Sequence, residues 1–578
     1  MKQTLIRCAC ATVIASVVWS IASLAGAEAS VKPRPPIFQP VVAENGMVSS
    51  QESLATRVGV EVLRRGGNAV DAAVAVGFAL AVTLPRAGNL GGGGFMMVHE
   101  AGPGKTHAID YRETAPGAVS LDMLLDNEGN YDRRKAIGSH LAVGVPGTVA
   151  GLTLALERFG TMPLVDVMQP AIDLAEEGIP VTQGFAESMT PGRVKRLSRW
   201  PASREKFFKS DGMAYQIGDK WRQPMLARSL KLIAERGASA FYNGEVAERI
   251  VDNMKKHGGL ITRSDLAAYR PIVRAPVRGW YRDHEIVSMP PPSSGGIHLI
   301  QILNILEAFD IAAMGHNSAA SVHLATEAMK FAYADRSWYL GDPAFWKVPV
   351  DGLTSKAYAA EIRRRIDRDT ARTADEIGPG DPKANEGRNT THYSVIDRHG
   401  NVVSNTYTLN LAYGTGIVVP GTGILLNNEM DDFSAKPGVP NSYGLIGGVA
   451  NAIEAGKRPL SSMTPTIVFK DGKPLLVTGS PGGSRIITTV LQVISNIIDH
   501  GMNVAAATAA PRFHHQWRPD TLFIEPGFSG DTVELLRRMG QVVRLSRLMG
   551  STQSIMTIPD GLAGASDPRR RGALTAGY

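Results

Sequence analysis

The sequence predicts a chain of mixed helix and strand, of the α+β class, on three observations. The N-terminal part carries helical apolar periodicity, residues 391–408 read as a β-hairpin, and residues 474–499 read as a strand, a glycine loop and a helix. With 578 residues, 44% hydrophobic and 20% charged, the chain can bury several cores, and its composition excludes disorder and a polytopic membrane protein. Glycine, 61 of 578, runs above the usual level of about 7%, which directs attention to glycine loops.

Taken in order, residues 1–27 read as a secretory signal. Lys2 and Arg7 form a charged start, an apolar run continues through Trp19 to Leu24, and Ala25-Gly26-Ala27 is a small-residue cleavage site. Interruptions by Ser and Thr weigh against a membrane anchor. Cys8 and Cys10 both lie in this segment, so the exported form is expected to hold no cysteine, which removes disulfides, thiol nucleophiles and cysteine-ligated metals. Loss of Lys2 and Arg7 takes the formal charge from +7 to +5, too mild an excess to indicate nucleic acid or an anionic membrane.

After a leader containing Pro33, Pro35, Pro36 and Pro40 comes a helical pattern from Glu52 to Arg65, ended by Gly66-Gly67. A second, Ala69 to Leu84, is almost wholly apolar and must be covered on every side. The chain then turns through Gly88 and Gly91 to Gly94 into a short strand, Phe95 to His99. Further helices are expected near Gly147–Arg158, Leu164–Glu177, Ile297–Leu306 and Ser321–Tyr339. Residues 367–389 hold one large aliphatic side chain, Ile377, among many charges, and are expected to form an exposed linker. Directly after it, Thr391–Asp397 and Val402–Thr408 are β-type runs joined by the turn Arg398-His399-Gly400-Asn401. Pro474–Thr478 reads as a strand, Gly479-Ser480-Pro481-Gly482-Gly483 as a loop, and Ser484–Asp499 as a helix with Ile486, Val490, Val493 or Ile494, and Ile497 on one face.

The threonine at the junction of linker and hairpin has chemical potential. A threonine hydroxyl is a poor nucleophile unless a base takes its proton, and a chain-terminal threonine supplies one in its own α-amine, whose pKa of roughly 7.7 to 8 suits proton transfer near neutrality. An internal threonine has only a non-basic amide nitrogen, so Thr390 becomes a catalyst only if the Asn389–Thr390 bond is cut. Positions 390 and 408 are symmetric about the turn, so Thr408 should face Thr390 with Cβ atoms about 5 Å apart, able to hold its rotamer. Taken alone, two threonines in a hairpin are ordinary β-formers.

The surrounding motifs change that reading. Thr390-Thr391-His392-Tyr393-Ser394-Val395, Thr408-Leu409-Asn410, Asn427-Asn428-Glu429-Met430-Asp431-Asp432-Phe433, Pro459-Leu460-Ser461-Ser462-Met463 and Gly479-Ser480-Pro481-Gly482-Gly483 together resemble the γ-glutamyltransferases (γ-glutamyltranspeptidases). Upstream, Gly67-Asn68-Ala69-Val70-Asp71-Ala72-Ala73, Gly91 to Phe95 and Asp110-Tyr111-Arg112-Glu113-Thr114-Ala115-Pro116 resemble the same family. The likeness runs from about residue 40 to Tyr578, weaker around 180–285 and 345–389. It implies an N-terminal-nucleophile hydrolase with a four-layer αββα sandwich, made as one precursor that cuts itself into a large subunit, 28–389, and a small subunit, 390–578. It implies also that Thr390 forms a γ-glutamyl ester from glutathione or a related donor and passes it to water or to an amino-acid or peptide amine. No cofactor or metal is implied, no nucleic-acid partner, and no membrane span in the mature, exported or periplasmic form.

Each pocket residue has a physical logic. A γ-glutamyl donor presents an α-carboxylate, which suits the planar fork of Arg112, with Ser461 and Ser462 adding donors. Its α-ammonium suits Glu429, Asp432 and Asn410; read as a metal site, the two carboxylates lack a third ligand at suitable spacing. Gly482 and Gly483 lie between a strand and a helix start, where backbone N–H groups can hold an oxyanion. The resemblance makes the Pro- and Gly-rich stretch Pro437–Gly448 a lid with Tyr443 as its gate.

Other signals are weaker. Gly88 with Gly91 to Gly94 precedes a strand instead of following one, the wrong order for a dinucleotide loop, and no Lys-Ser/Thr follows GSPGG as a P-loop requires. Neighbours His514 and His515 do not share a face. Arg363 to Arg365 and Arg569 to Arg571 read as solvated surface charge. Two rivals remain: a glutaryl-type β-lactam acylase of the same superfamily, which has no need of Glu429 and Asp432 together, and a non-catalytic periplasmic peptide-binding protein with an inert threonine.

Overall fold

The computed structural model describes residues 37–377 and 390–578; the signal segment 1–27, the cleavage position Asn389 and the latter part of the linker lie outside them. Helix Ser53–Arg64 is capped by the Glu52 carboxylate, which accepts from the Ala55 N–H. Helix Ala69–Thr83 is buried on every face, as its composition requires. It starts in a capping box: the Asn68 side chain accepts from the Val70 and Asp71 N–H groups, and the Asp71 carboxylate accepts from the Asn68 N–H at 2.8 Å. The expected helices appear as Thr148–Phe159, Leu164–Glu177, Gly295–Leu306, Ala319–Tyr339 and Arg485–Ile498.

Two antiparallel sheets form the centre. One runs in the order Leu574–Gly577, Met47–Ser50, Thr391–Ile396, Val402–Thr408, Gly93–Glu100, Lys105–Tyr111, Ile272–Arg274. The other runs Val41–Ala43, Gly561–Ser566, Gln553–Ile558, Lys473–Thr478, Thr466–Lys470, His284–Ser288, Val277–Tyr281. Their facing sides touch through a polar seam: Ser49 Oγ donates to Gln553 Oε1 at 3.2 Å, Ser394 Oγ to the Gln553 carbonyl at 2.8 Å, and Ser404 Oγ to the Thr478 carbonyl at 3.1 Å. Helices Ser53–Arg64, Ala69–Thr83 and Thr148–Phe159 cover the first sheet, and Gly295–Leu306 and Val504–Ala509 pack on the second, with Arg485–Ile498 against both of the latter. The result is the αββα sandwich. Among the described residues no helix is long and apolar enough to cross a membrane.

Two surface readings need correction. The described part of the linker, 367–377, is docked and not exposed as a whole. Ile377 is fully buried, the Trp517 indole donates to the Ala374 carbonyl at 2.9 Å, and Ala374 N–H donates to Asp520 at 2.7 Å. One aliphatic side chain and several hydrogen bonds to the backbone, among them Ala371 N–H to the Met539 carbonyl at 2.6 Å and Lys330 Nζ to the Arg372 carbonyl at 2.6 Å, anchor a polar segment that its composition left unsupported. Arg569, read as solvated charge, instead bridges buried carboxylates: Nη2 lies 2.5 Å from Glu525 and Nη1 3.2 Å from Asp567.

Candidate active site

The hairpin register pairs Thr391 with Tyr407 and Ile396 with Val402. One step further, Thr390 faces Thr408, and the two hydroxyl oxygens lie 3.4 Å apart, as the turn symmetry predicts. The Thr408 hydroxyl also accepts from the Asn410 N–H at 2.8 Å, so its lone pair and rotamer are fixed by the backbone two residues on. Behind it, the Asn89 amide donates to the Thr408 carbonyl at 2.9 Å. A Cβ at Gly92 would sit 2.0 Å from that same carbonyl, so only glycine lets the neighbouring loop approach the hairpin end.

Thr390 and Thr408 open into a cavity of about 290 Å³. Its walls include Arg112, Asn410, Glu429, Asp432, Ser461, Ser462, Tyr443 and Gly483, so residues drawn from five separated motifs converge there. Gly482 precedes Gly483 at the entry to helix Arg485–Ile498, and neither amide N–H has an acceptor among the described residues. Both glycines have positive φ, 145° and 58°, and a Cβ at Gly483 would lie 2.2 Å from the Tyr443 ring. The Tyr443 hydroxyl donates to the Asn410 carbonyl at 2.5 Å, tying the 437–448 segment across the cavity.

Arg112 is completely buried at the end of strand Lys105–Tyr111. Its two terminal nitrogens pair with Glu429 and Asp432, its Nε donates to the Pro459 carbonyl at 3.2 Å, and Glu113 lies 3.7 Å away. One cation therefore serves three carboxylates in a dry setting. Burial, opposed by Arg112, raises the carboxyls of Glu113 and Glu429 above the usual range, Glu113 to about 7. Ser462 Oγ accepts from Arg336 Nη2 at 3.2 Å, and Ser461 Oγ accepts from the Met463 N–H at 3.1 Å.

Asn410 does not reach Glu429 or Asp432 directly. Its amide donates to the Asn428 carbonyl at 2.9 Å and approaches Asp431 at 3.5 Å. Asp431, which the sequence reading passed over, is bonded by the Tyr131 hydroxyl and by Ser442 Oγ at 3.0 Å, and burial raises it to about 7. Two further residues were missed. Arg336 lines the cavity from the long helix Ala319–Tyr339 and donates through Nε to Ser294 Oγ at 3.0 Å. Arg458 ties the Arg112 carbonyl at 2.5 Å to Asp110 at 3.2 Å and to the Arg270 carbonyl at 2.8 Å. No local pattern marks Arg336, whereas Arg458 sits directly before the Pro459–Met463 motif and so had a neighbouring signal. His514 and His515 make separate bonds, to Thr488 Oγ1 at 2.9 Å and to Asp520 at 3.2 Å.

The Gamma-glutamyltranspeptidase sequence profile matches residues 55–577. The chain is 57% identical over 559 residues to a glutathione hydrolase proenzyme of Escherichia coli (strain K12), covering 95% of this chain and 96% of that one. Its fold is similar to the crystal structure of a cephalosporin acylase from Bacillus halodurans, with TM-score 0.83 and 31% identity over 96% of this chain and 99% of the other. It is similar also to the Helicobacter pylori gamma-glutamyltranspeptidase, with TM-score 0.57 and 47% identity over 61% of this chain and all of that one. A profile match over nearly the whole chain and an identity of this size and extent lead to one conclusion: this chain belongs to the gamma-glutamyltranspeptidase family.

Proposed function

We propose that Thr390 is both the agent of self-cleavage and the catalytic nucleophile of a γ-glutamyltransferase and glutathione hydrolase. The enzyme class and its synthesis as a self-processing proenzyme follow from the family. The single observation that supports the residue roles is the convergence of Thr390, Thr408, Arg112 and the Glu429–Asp432 pair on one cavity. In maturation the Thr390 hydroxyl attacks the Asn389 carbonyl. The peptide nitrogen leaves as the new α-amine, the acyl group passes to oxygen as an ester, and water opens that ester to release the Asn389 carboxylate. The freed amine is then the base that takes the hydroxyl proton during turnover and returns it to the leaving amine.

In the donor complex, the α-carboxylate takes the Arg112 fork while the α-ammonium takes Glu429 and Asp432. A zwitterion thus inserts into an existing ion-pair cluster, exchanging each partner for one of like charge, so that no buried charge is left unpaired. Asn410, Ser461 and Ser462 complete the rim. The N–H groups of Gly482 and Gly483 receive the oxyanion of the tetrahedral intermediate, worth about 3 kcal/mol in the barrier for each donor. Tyr443 closes the cavity. Acceptors are water and amino-acid or peptide amines, the subunits are 28–389 and 390–578, and residues 1–27 direct export.

The acylase reading is favoured by the similarity to the Bacillus halodurans structure and by 40% identity over 550 residues to an acylase ACY 1 proenzyme of Pseudomonas sp. (strain SE83). A glutaryl group lacks the ammonium that Glu429 and Asp432 require, so glutathione should be turned over in preference to a glutaryl amide. N-terminal sequencing of the purified small fragment tests the central claim: it should begin at Thr390, and a fragment with full activity beginning elsewhere removes Thr390 from the mechanism.

A further inference from the structure

A second guanidinium lines the Thr390 cavity. Arg336, near the end of helix Ala319–Tyr339, is 4% exposed, and among the described residues no carboxylate lies within ion-pair distance of it. Its hydrogen bonds go to two serines instead: Nε donates to Ser294 Oγ at 3.0 Å and Nη2 to Ser462 Oγ at 3.2 Å. Ser294 is itself tied to the motif that carries Ser462. Its hydroxyl donates to the Ser461 carbonyl at 2.8 Å and its N–H to the same carbonyl at 2.9 Å, while the Ser461 N–H donates to the Pro292 carbonyl at 2.8 Å. The guanidinium is therefore anchored at one edge to the backbone of the Pro459–Met463 stretch and presents another edge to the Ser462 hydroxyl.

The direction of these bonds decides what the hydroxyls do. A guanidinium only donates, so a lone pair of Ser462 Oγ is occupied and its one hydrogen is sent elsewhere. Ser461 Oγ is placed alike, accepting from the Met463 N–H at 3.1 Å. Among the described residues neither hydroxyl has an acceptor, and both serines line the cavity, so both are left to donate into it. A hydroxyl that accepts from a charged donor is also polarised into a stronger donor itself. Two such groups side by side suit a carboxylate better than an ammonium.

We propose that Arg336 is a positioning residue for donor recognition, which holds the Ser462 hydroxyl as a fixed hydrogen-bond donor to the α-carboxylate of the γ-glutamyl group. The proposal rests on the reading of the Thr390 cavity as the γ-glutamyl donor site. Arg112 supplies the fork that meets the carboxylate; Arg336 acts through Ser462 and decides which way that hydroxyl points. Without Arg336 the Ser462 hydrogen is free to turn to an acceptor within the protein, leaving a lone pair towards the carboxylate. The α-carboxylate is remote from the scissile amide and is held alike before and during the reaction, so the effect belongs to KM and not to kcat.

A double-mutant cycle of Arg336→Met and Ser462→Ala tests this, read as KM and kcat for L-γ-glutamyl-p-nitroanilide on protein that has cleaved into its subunits. Arg336→Met should raise KM by about tenfold, the order expected for a lost hydrogen bond to a charged group, with kcat within about twofold of the wild type. Ser462→Ala should do the same, and the double variant should keep the KM of Ser462→Ala, because without the hydroxyl Arg336 has nothing to direct. A merely structural role would multiply KM in both backgrounds and lower kcat as well. Should Arg336→Met fail to fold or mature, Arg336→Lys takes its place: a point contact cannot hold Ser294 and Ser462 together, so KM should rise by about threefold, and only where Ser462 is present. An unchanged KM in the Arg336 variant, an equal rise with and without the Ser462 hydroxyl, or a fall in kcat in place of the rise in KM overturns the proposal and leaves the donor site standing. An unchanged KM in Ser462→Ala removes Ser462 from the donor site, and the proposal with it.

Discussion

A guanidinium that bridges two carboxylates without solvent is held by geometry as much as by charge, and Arg112 is such a group. Lysine at this position keeps the charge but offers a point contact where Glu429 and Asp432 meet a fork. Arg112→Lys should therefore raise KM for a γ-glutamyl donor by roughly ten- to a hundredfold, the equivalent of one charged hydrogen bond of about 1.5–3 kcal/mol, with a smaller effect on kcat. Steady-state kinetics decide it, and an unchanged KM removes the carboxylate role. At Thr390 the effect is all or none: Thr390→Ala deletes the attacking oxygen, so the variant should run as a single chain on a denaturing gel, and normal cleavage would contradict the proposed maturation.

Elements position these atoms. The hairpin places Thr408 opposite Thr390, and the Asn410 N–H locks the Thr408 hydroxyl. Thr408→Val is nearly isosteric but leaves that N–H without its acceptor and Thr390 without its neighbour. Maturation and turnover should both slow by roughly tenfold or more, corresponding to a net cost of about 1–3 kcal/mol for an unsatisfied buried donor; full activity would detach the hairpin from the chemistry. The loop before helix Arg485–Ile498 is equally constrained. Gly483→Ala puts a methyl group at positive φ and against the Tyr443 ring, so kcat should fall by about a hundredfold as the N–H and the tyrosine are displaced together. A variant with wild-type kcat would mean that neither Gly483 nor Tyr443 has the role proposed.

At the scale of the whole molecule, the polar seam between the sheets makes stability sensitive to acid. His392 is completely buried there, with Nδ1 2.8 Å from Thr406 Oγ1 and Nε2 3.1 Å from Ser394 Oγ, and burial lowers its pKa to about 3. Between the ordinary value of 6.5 and that lower one, the unfolded chain takes up a proton that the folded chain refuses. The stability His392 contributes is present above pH 6.5 and drains away as the pH falls, by about 1.4 kcal/mol per pH unit. Raised carboxyls such as Asp431 act in the opposite sense over part of this range, so a difference measurement isolates the histidine. The gap in urea-unfolding free energy between wild type and His392→Gln should shift against the wild type by about that amount per unit from pH 6.5 to 5. A gap independent of pH would show that His392 titrates normally.

Local rules carried the sequence reading as far as local rules extend. The hairpin, its register and the capped apolar helix Ala69–Thr83 depend on turn chemistry and side-chain period within a few residues, and the motifs from Asp110 to Gly483 were visible as strings. Strand partners such as Val41–Ala43 with Gly561–Ser566, more than 500 residues apart in sequence, leave no local trace. Arg336 is one arginine in a helix until packing brings it to Ser462, and Asp431 is indistinguishable from its neighbour Asp432 until Tyr131 reaches it. The docked linker and the pairing of Arg569 with Glu525 and Asp567 have the same cause. Composition records how polar a segment is, whereas the energy of a charge is set by which groups folding brings within a few ångströms. By itself the sequence determined the family and the hairpin that sets the Thr390 and Thr408 hydroxyls face to face; only the tertiary structure decided which charges are paired with which, because ion pairing in a dry interior is a property of distance in space.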